Sequence, residues 1–333
     1  MQPSADSLQI GNYIGALMQW RSLQDEYEAF FSVVDLHALT QPTDPAELRE
    51  KTRRTAAQYI AAGIEPSRST LYVQSHVPAH AELAWILSTM TGFGEAGRMT
   101  QFKDKSSRYG ADATNVGLFT YPVLMAADIL IYQSSLVPVG KDQVQHIEMT
   151  QDMATHFNEV YAREAPVLRR PEWRLSKSPY VPGIDGRKMS KSYGNTLPLF
   201  LSGKPLKQAI GKVVTDSTEL GQPLPWKTDN VYALLELLAN EDELFEIQGW
   251  YEAGSRAGQG FGYGHAKQLL AAKLDEHFAP IRARREHFLA HPDEVEDIHD
   301  DTGRVTGATV KADGSHVEYN GVGTMSKSKN NGV

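Results

Sequence analysis

Phe30-Phe31-Ser32-Val33-Val34, a helical stretch opening at Asp44-Pro45-Ala46-Glu47 and closing at Gly63, then Thr70-Leu71-Tyr72-Val73: these segments decide the architecture. Each strand candidate is short, apolar and β-rich. Between them Asp44 is placed to cap the helix, Pro45 to occupy its first turn, Glu47 to close a capping box and Gly63 to end it. Strands of this kind separated by a helix of this length predict a parallel sheet covered on both faces, an α/β doubly wound fold. Ligands in such sheets bind beyond the carboxyl ends of the strands, which is where Asp35, His37 and Gln74 fall.

Upstream, residues 11–26 read as a helix with Ile14, Leu17 and Met18 on one side, entered through Leu8-Gln9-Ile10-Gly11-Asn12-Tyr13. Downstream, residues 120–133 read as a helix with Thr120 as N-cap and Pro122 in its first position. Its body is apolar nearly all round except for Asp128. A buried carboxylate without a partner costs several kcal/mol. Either an Arg or Lys pairs with it inside the fold, or it waits for an N–H donor from a ligand. From residue 200 the strand pattern stops, and 204–214, 230–239, 242–251 and 264–289 read as amphipathic helices. Residues 305–310 and 316–319 read as a short hairpin, and the end as a polar, disordered tail.

The composition is that of an ordinary globular protein: 333 residues, 41% hydrophobic and 22% charged. Zero cysteines exclude disulfides and thiolate metal sites. No apolar run reaches the length of a membrane span and no export signal is visible, which makes cytoplasm the expectation. A net charge of −8 argues against nonspecific coating of nucleic acid but leaves room for a local basic face. Arg169, Arg170 and Arg174, or Arg282, Arg284 and Arg285, are the candidates; a solvated helix or loop is the plainer reading of each.

The chemistry is carried by Arg187-Lys188-Met189-Ser190-Lys191-Ser192-Tyr193-Gly194-Asn195. Two lysines flanking Met-Ser in a Gly-rich stretch can close cationic groups and backbone donors over a polyphosphate. With the Gly11-Asn12 helix start, this KMSKS string resembles the phosphate site of class I aminoacyl-tRNA synthetases. Further segments narrow the resemblance: Gln2-Pro3-Ser4, Val34 to Thr40, Met99 to Lys105, Tyr121 to Asp128, Val137 to Gln143 and Thr215-Asp216-Ser217. Together they resemble the bacterial tryptophanyl-tRNA synthetases over residues 1 to about 298, with the tyrosine enzymes as nearest relatives.

That resemblance implies a Rossmann-type catalytic domain over 1–199, a helical anticodon-binding domain over 200–298 and a foreign-looking tail over 299–333. It implies a tryptophan–tRNA ligase that uses ATP, Mg²⁺, L-tryptophan and tRNA(Trp), works as a homodimer and holds no metal of its own. Asp128 would accept the indole N–H, and Met125, Val137 and Val139 would wall the ring. Tyr121 and Gln143 would meet the amino group, with His37 lining the same pocket. Gln2, Pro3, Ser4, Gly11, Asn12, Gly140, Lys141, Asp142, Val181 and the run Lys188, Met189, Ser190, Lys191 and Ser192 would bind ATP. Gln9, Asn12, Lys188, Lys191 and Ser192 would be catalytic.

The chain departs from the family in three places. Gln9 stands where the class motif has its first His, and an amide can still donate. The family has a strand and a Ser-Gly before the point where this chain begins, so Met1 reads as an internal methionine of a longer protein. Residues 299–333 resemble a hairpin and KMSKS segment of leucyl-tRNA synthetase with Thr324 for the first lysine, as in a chimeric reading frame. The alternative is therefore a truncated or chimeric paralogue that only binds tRNA or tryptophan. A nucleotidyltransferase sharing the Gly-rich helix start is the other, and it would have no use for a buried Asp128.

Overall fold

The computed structural model describes residues 2–3, 8–99, 115–175 and 180–295. The hairpin and tail expected beyond residue 298, and most of the Met99 to Lys105 segment, lie outside the described residues.

The first two strands form as the sequence predicts: β1 (Phe30–Val33) pairs in parallel with β2 (Thr70–Val73), Val33 opposite Val73. The crossover helix Pro45–Ala61 packs on both. Its start follows local chemistry, since the Asp44 carboxylate accepts from the N–H groups of Ala46 and Glu47, each at 3.0 Å. The Glu47 side chain pairs with Lys51 one turn on. Gly63, at φ +107°, takes the left-handed position that ends the helix, letting Ile64 N–H reach back to Tyr59 O at 3.0 Å.

Two more strands, β3 (Leu136–Val139) and β4 (Glu172–Leu175), form a second parallel pair. Sequence patterning marks them weakly: Pro138 sits inside β3 and argues against a strand there, and the alternation Glu172-Trp173-Arg174-Leu175 of β4 is only four residues long, all of them exposed. The helix carrying Asp128 is Val116–Leu130, four residues earlier than expected. Its cap is Asn115, whose side chain accepts from Leu118 N–H at 2.9 Å. Pro122 lies in the helix interior, and the Thr120 hydroxyl donates to Val116 O instead of capping. A proline that usually marks a first turn is tolerated here deeper in the helix.

The helical residues near the start run through Ile10–Asn12, a wider π-helical turn Tyr13–Leu17, and Met18–Glu26. Ahead of them Leu8–Ile10 is held by the chain beyond the KMSKS string: Ile10 N–H donates to Leu197 O at 2.9 Å and Leu199 N–H to Leu8 O at 2.8 Å.

The later helices are Gly203–Gly211, Asn230–Glu236, Glu241–Ala253 and the long Tyr263–Ala290, with a two-residue-per-strand hairpin, Ser255–Arg256 with Gln259–Gly260, before the last. One apolar cluster joins them to the first half, running from Ile10, Leu17, Val33 and Tyr59 through Leu234 and Tyr251 to Leu270 and Phe278. Tyr13 meets the Phe278 ring edge-on at 5.1 Å, so the long helix braces the first one. A second cluster lies among Ala79–Met90, Val116–Leu130 and Val144–Tyr161. Among the described residues no helix is long and apolar enough to cross a membrane.

Candidate active site

Asp35 and His37 follow β1 and Gln74 follows β2, at the carboxyl ends of the parallel pair as expected. Asp35 ties the two ends together, its carboxylate accepting from Ser75 N–H at 3.0 Å and from the Ser75 hydroxyl at 2.5 Å.

Among the described residues Asp128 is paired with neither Arg nor Lys. Its Oδ2 accepts from His37 Nε2 at 2.9 Å, its Oδ1 from His80 Nδ1 at 2.6 Å, and Gln74 Nε2 donates to both oxygens at 2.7 and 2.9 Å. Because a carboxylate can only accept, His80 carries its proton on Nδ1. In the neutral ring this leaves Nε2 to take the Tyr132 hydroxyl at 3.0 Å. Gln74 and His80 are wholly buried. Burial alone would push the Asp128 carboxyl up, but the bonds from His37 and His80 outweigh it and hold it below the usual range.

A depressed folded value means the stability Asp128 contributes is fully present above the ordinary carboxylate value near ~4 and is lost as pH falls through the lower folded value. Urea unfolding of wild type and Asp128→Asn across pH should therefore show a stability gap at neutral pH that closes in acid. A gap that widens toward acid would rule out an ionised Asp128.

Met125 and Asp128, three residues apart, share a face of their helix. Met125 and Val137 pack with buried Val139 in one cluster with Ile129 and Ile147. The Tyr121 ring lies edge-on to His37 at 6.3 Å, and its hydroxyl meets His146 Nε2 at 2.8 Å. Burial, then the Asp142 charge, push that hydroxyl up to about 12, so it stays a neutral donor at physiological pH. Gln143 donates to Asp142 Oδ2 at 2.9 Å, while Gly140, Lys141 and Asp142 are exposed.

The KMSKS string lies over the first helix. Gly11 N–H points at Met189 Sδ, 3.3 Å away, and Met189 is buried while Lys188 and Lys191 face solvent. Met189 N–H donates to Val181 O at 2.9 Å, and Lys188 bridges to Pro182. Asn12 accepts from Gln9 N–H through its side chain at 3.2 Å. Gln2 reaches toward His37 O at 3.5 Å and Pro3 is buried; Ser4 and the Ser192 side chain lie outside the described residues.

Asn195, which sequence reading did not single out, organises this loop. Its Oδ1 accepts from Ser190 N–H at 2.8 Å, and its Nδ2 donates to Asp185 at 2.7 Å and to Lys188 O at 3.1 Å. Gly183 must be glycine for the same reason, since a Cβ there would stand 2.3 Å from Asn195 Nδ2 and 2.6 Å from its carbonyl oxygen. Gly183→Ala is expected to cost about 1–3 kcal/mol and to lower Tm by several degrees. It should also slow any reaction that needs the lysines in register. A thermal melt with the activity assay described below checks both.

His80, Tyr132 and His146 are the other residues that sequence reading missed. His80 sits in Pro78-Ala79-His80-Ala81, where nothing local distinguishes it from a core histidine. Several arginines of the basic clusters have partners within the fold: Arg284 donates twice to Ala61 O, at 2.9 and 2.6 Å, and Arg282 reaches Leu201 O and Asp275. Arg285 pairs with Glu286, Arg170 donates to Gln151 O and Arg174 faces Glu26.

A parallel sheet with a Gly-Asn helix start under a KMSKS loop defines a nucleotide-dependent enzyme of the class I synthetase type. Residues 1–279 match the family of class I tRNA synthetases (W and Y), and the chain belongs to that family. It is 50% identical over 307 residues, 90% of this chain and 88% of the relative, to tryptophan–tRNA ligase of Leifsonia xyli subsp. xyli. It is 45% identical over 298 residues to the ligase of Fusobacterium nucleatum, covering 90% of this chain and 89% of that one. The crystal structure of tryptophanyl-tRNA synthetase from Campylobacter jejuni complexed with ADP and tryptophan superposes with a TM-score of 0.82 at 38% identity, over 89% of this chain and 90% of that one.

Proposed function

We propose that this chain is a tryptophan–tRNA ligase: it joins L-tryptophan to ATP, forming tryptophanyl-adenylate and pyrophosphate, and transfers the aminoacyl group to tRNA(Trp). The observation that carries the reading is Asp128, kept ionised by His37, Gln74 and His80 on the same helix face as Met125. Indole offers one N–H on an otherwise apolar body. A fixed carboxylate beside Met125, Val137 and Val139 answers that chemistry.

A tryptophan carboxylate oxygen attacks the α-phosphorus of ATP, the P–O bond to the β-phosphate breaks, and pyrophosphate leaves. In the second step the 2′-hydroxyl of the terminal tRNA adenosine attacks the acyl carbon, AMP leaves, and the hydroxyl proton passes to the departing phosphate. Neither step requires a protein nucleophile, so catalysis is positioning and charge stabilisation. Lys188 and Lys191 act on the β- and γ-phosphates of ATP, which arrives as its Mg²⁺ complex. Gly11, Asn12 and Gln9 receive the nucleotide at the helix start, with Gln2, Pro3 and Ser4 alongside. Gly140, Lys141 and Asp142 take the ribose side; Val181, Met189, Ser190 and Ser192 complete the loop. Tyr121 and Gln143 meet the substrate's amino group.

The residues up to 199 form the catalytic part and 200–298 read the anticodon. Phe245, 80% exposed, supports that assignment as a surface on which an unstacked base can lie. A homodimer is supported by Trp85, Phe93 and Val116, large apolar side chains left 72%, 80% and 76% exposed on neighbouring helices. The compartment is the cytoplasm, where tRNA is charged.

The test is amino-acid-dependent ATP–pyrophosphate exchange with tryptophan and tyrosine side by side, followed by aminoacylation of tRNA(Trp). Exchange with tyrosine in place of tryptophan would overturn the substrate; binding without exchange would favour the paralogue that only binds. Residues 299–333, with their resemblance to a leucyl-tRNA synthetase fragment, take no part in this reading. Deleting them should leave tryptophan exchange within about twofold, because so few large apolar residues can bury little surface. A deletion that abolishes exchange would show the tail to be part of the enzyme.

A further inference from the structure

The long helix Tyr263–Ala290 ends in a feature that the ligase reading does not use. His287 and His291 are one turn apart, their rings 4.5 Å between centroids, and the 3₁₀ turn Pro292–Glu294 brings Glu294 against them. Glu294 Oε2 lies 2.8 Å from His287 Nε2. The three side chains each offer a ligand atom, and these atoms lie within 4.8 Å of one another.

The protonation of one ring is decided by its neighbour. His291 Nδ1 lies 2.9 Å from His287 O. A carbonyl oxygen can only accept, so Nδ1 carries the proton and the neutral ring presents Nε2 as a bare lone pair. This is the arrangement in which a second partner orients a metal-binding imidazole. His287 Nε2 points at a carboxylate, so a cation entering between them replaces one proton with a divalent charge that both groups favour.

We propose that His287, His291 and Glu294 form a binding site for a divalent first-row transition-metal ion, Zn²⁺ foremost. Two imidazoles and a carboxylate suit Zn²⁺ and its borderline-soft neighbours, and are poor ligands for Mg²⁺, which prefers oxygen alone. All three residues are exposed, so the ion enters without opening the fold and keeps water in its remaining positions. The bound ion joins the last turn of the long helix to the turn that follows it. The inference is independent of the ligase reading.

Isothermal titration of untagged full-length protein with ZnCl₂, after treatment with a chelating resin, is the test. One saturable site is expected, weakened about tenfold or more in His287→Ala and in His291→Ala and weakened again in Glu294→Gln. A rise in Tm with Zn²⁺ should disappear in the same variants. Because the three positions are exposed, circular dichroism should show all variants folded. The protein has 11 histidines, so uptake that the double variant His287→Ala, His291→Ala leaves unchanged would place the ion elsewhere and overturn the proposal. Absence of saturable uptake, or displacement of Zn²⁺ by equimolar Mg²⁺, would overturn it equally.

Discussion

Lys188→Ala and Lys191→Ala each lower tryptophan-dependent ATP–pyrophosphate exchange by about 10²–10³-fold, the scale seen when one group that stabilises developing charge is removed, while tryptophan affinity stays within about twofold. The reasoning is differential binding. Both lysines face solvent beside the buried Met189 anchor. They can act on the polyphosphate as the P–O bond breaks without touching the amino acid. The loss therefore falls on the rate of the chemical step and not on the dissociation constant for tryptophan, and pre-steady-state adenylate formation separates the two. Unchanged exchange in both variants would reduce the string to a solvated basic turn.

Asp128→Ala is expected to weaken tryptophan binding by roughly 1–3 kcal/mol, tenfold to over a hundredfold, because the indole N–H is left unmet. Its effect is not confined to the ligand. Two carboxylate oxygens offer about four acceptor sites, and His37, His80 and the forked Gln74 contact fill them in the free protein. The incoming N–H thus exchanges for one of these donors, and His37, which borders Tyr121, is the one placed to yield. Truncation to alanine strands all three donors, two of them on wholly buried residues, so Tm should fall together with affinity. Equilibrium binding and a thermal melt on the same preparation check both halves. Wild-type affinity in a folded Asp128→Ala protein would remove Asp128 from the tryptophan site.

How much of this was legible in the sequence follows the reach of each interaction. The helix start at Asp44-Pro45 is written in four adjacent residues, and the structure builds it with the cap expected. The KMSKS string and the Gly11-Asn12 start are likewise local, although their contact through Met189 is not. Asp128 declared itself as a charge in an apolar helix. Its partners come from positions 37, 74 and 80, and no local pattern joins them. The strand Glu172–Leu175 was missed because its alternation of Glu172 and Arg174 with Trp173 and Leu175 is only four residues long, and Leu136–Val139 because a proline interrupts it. The arginine clusters read as a solvated helix or loop, with a local basic face as the other possibility, since spacing along a chain does not reveal that Arg284 donates to Ala61 O, 223 residues away.

The hold that Leu197–Leu199 and Met189 have on the first helix also bears on how the chain is made. Gly11 and Met189 are 178 residues apart. Closing a loop of that size costs about 4–5 kcal/mol in chain entropy beyond a constant. At translation speeds of about 5–20 residues per second, the helix leaves the ribosome some 10–40 s before its partners exist. Through that interval Ile10, Ile14 and Leu17, all buried in the finished protein, have only the nearer elements to pack against. The nucleotide site therefore cannot close until the chain has been made past residue 199, and the first helix gains its brace from Phe278 later still; a nascent chain halted before residue 197 would carry an exposed apolar helix in its place.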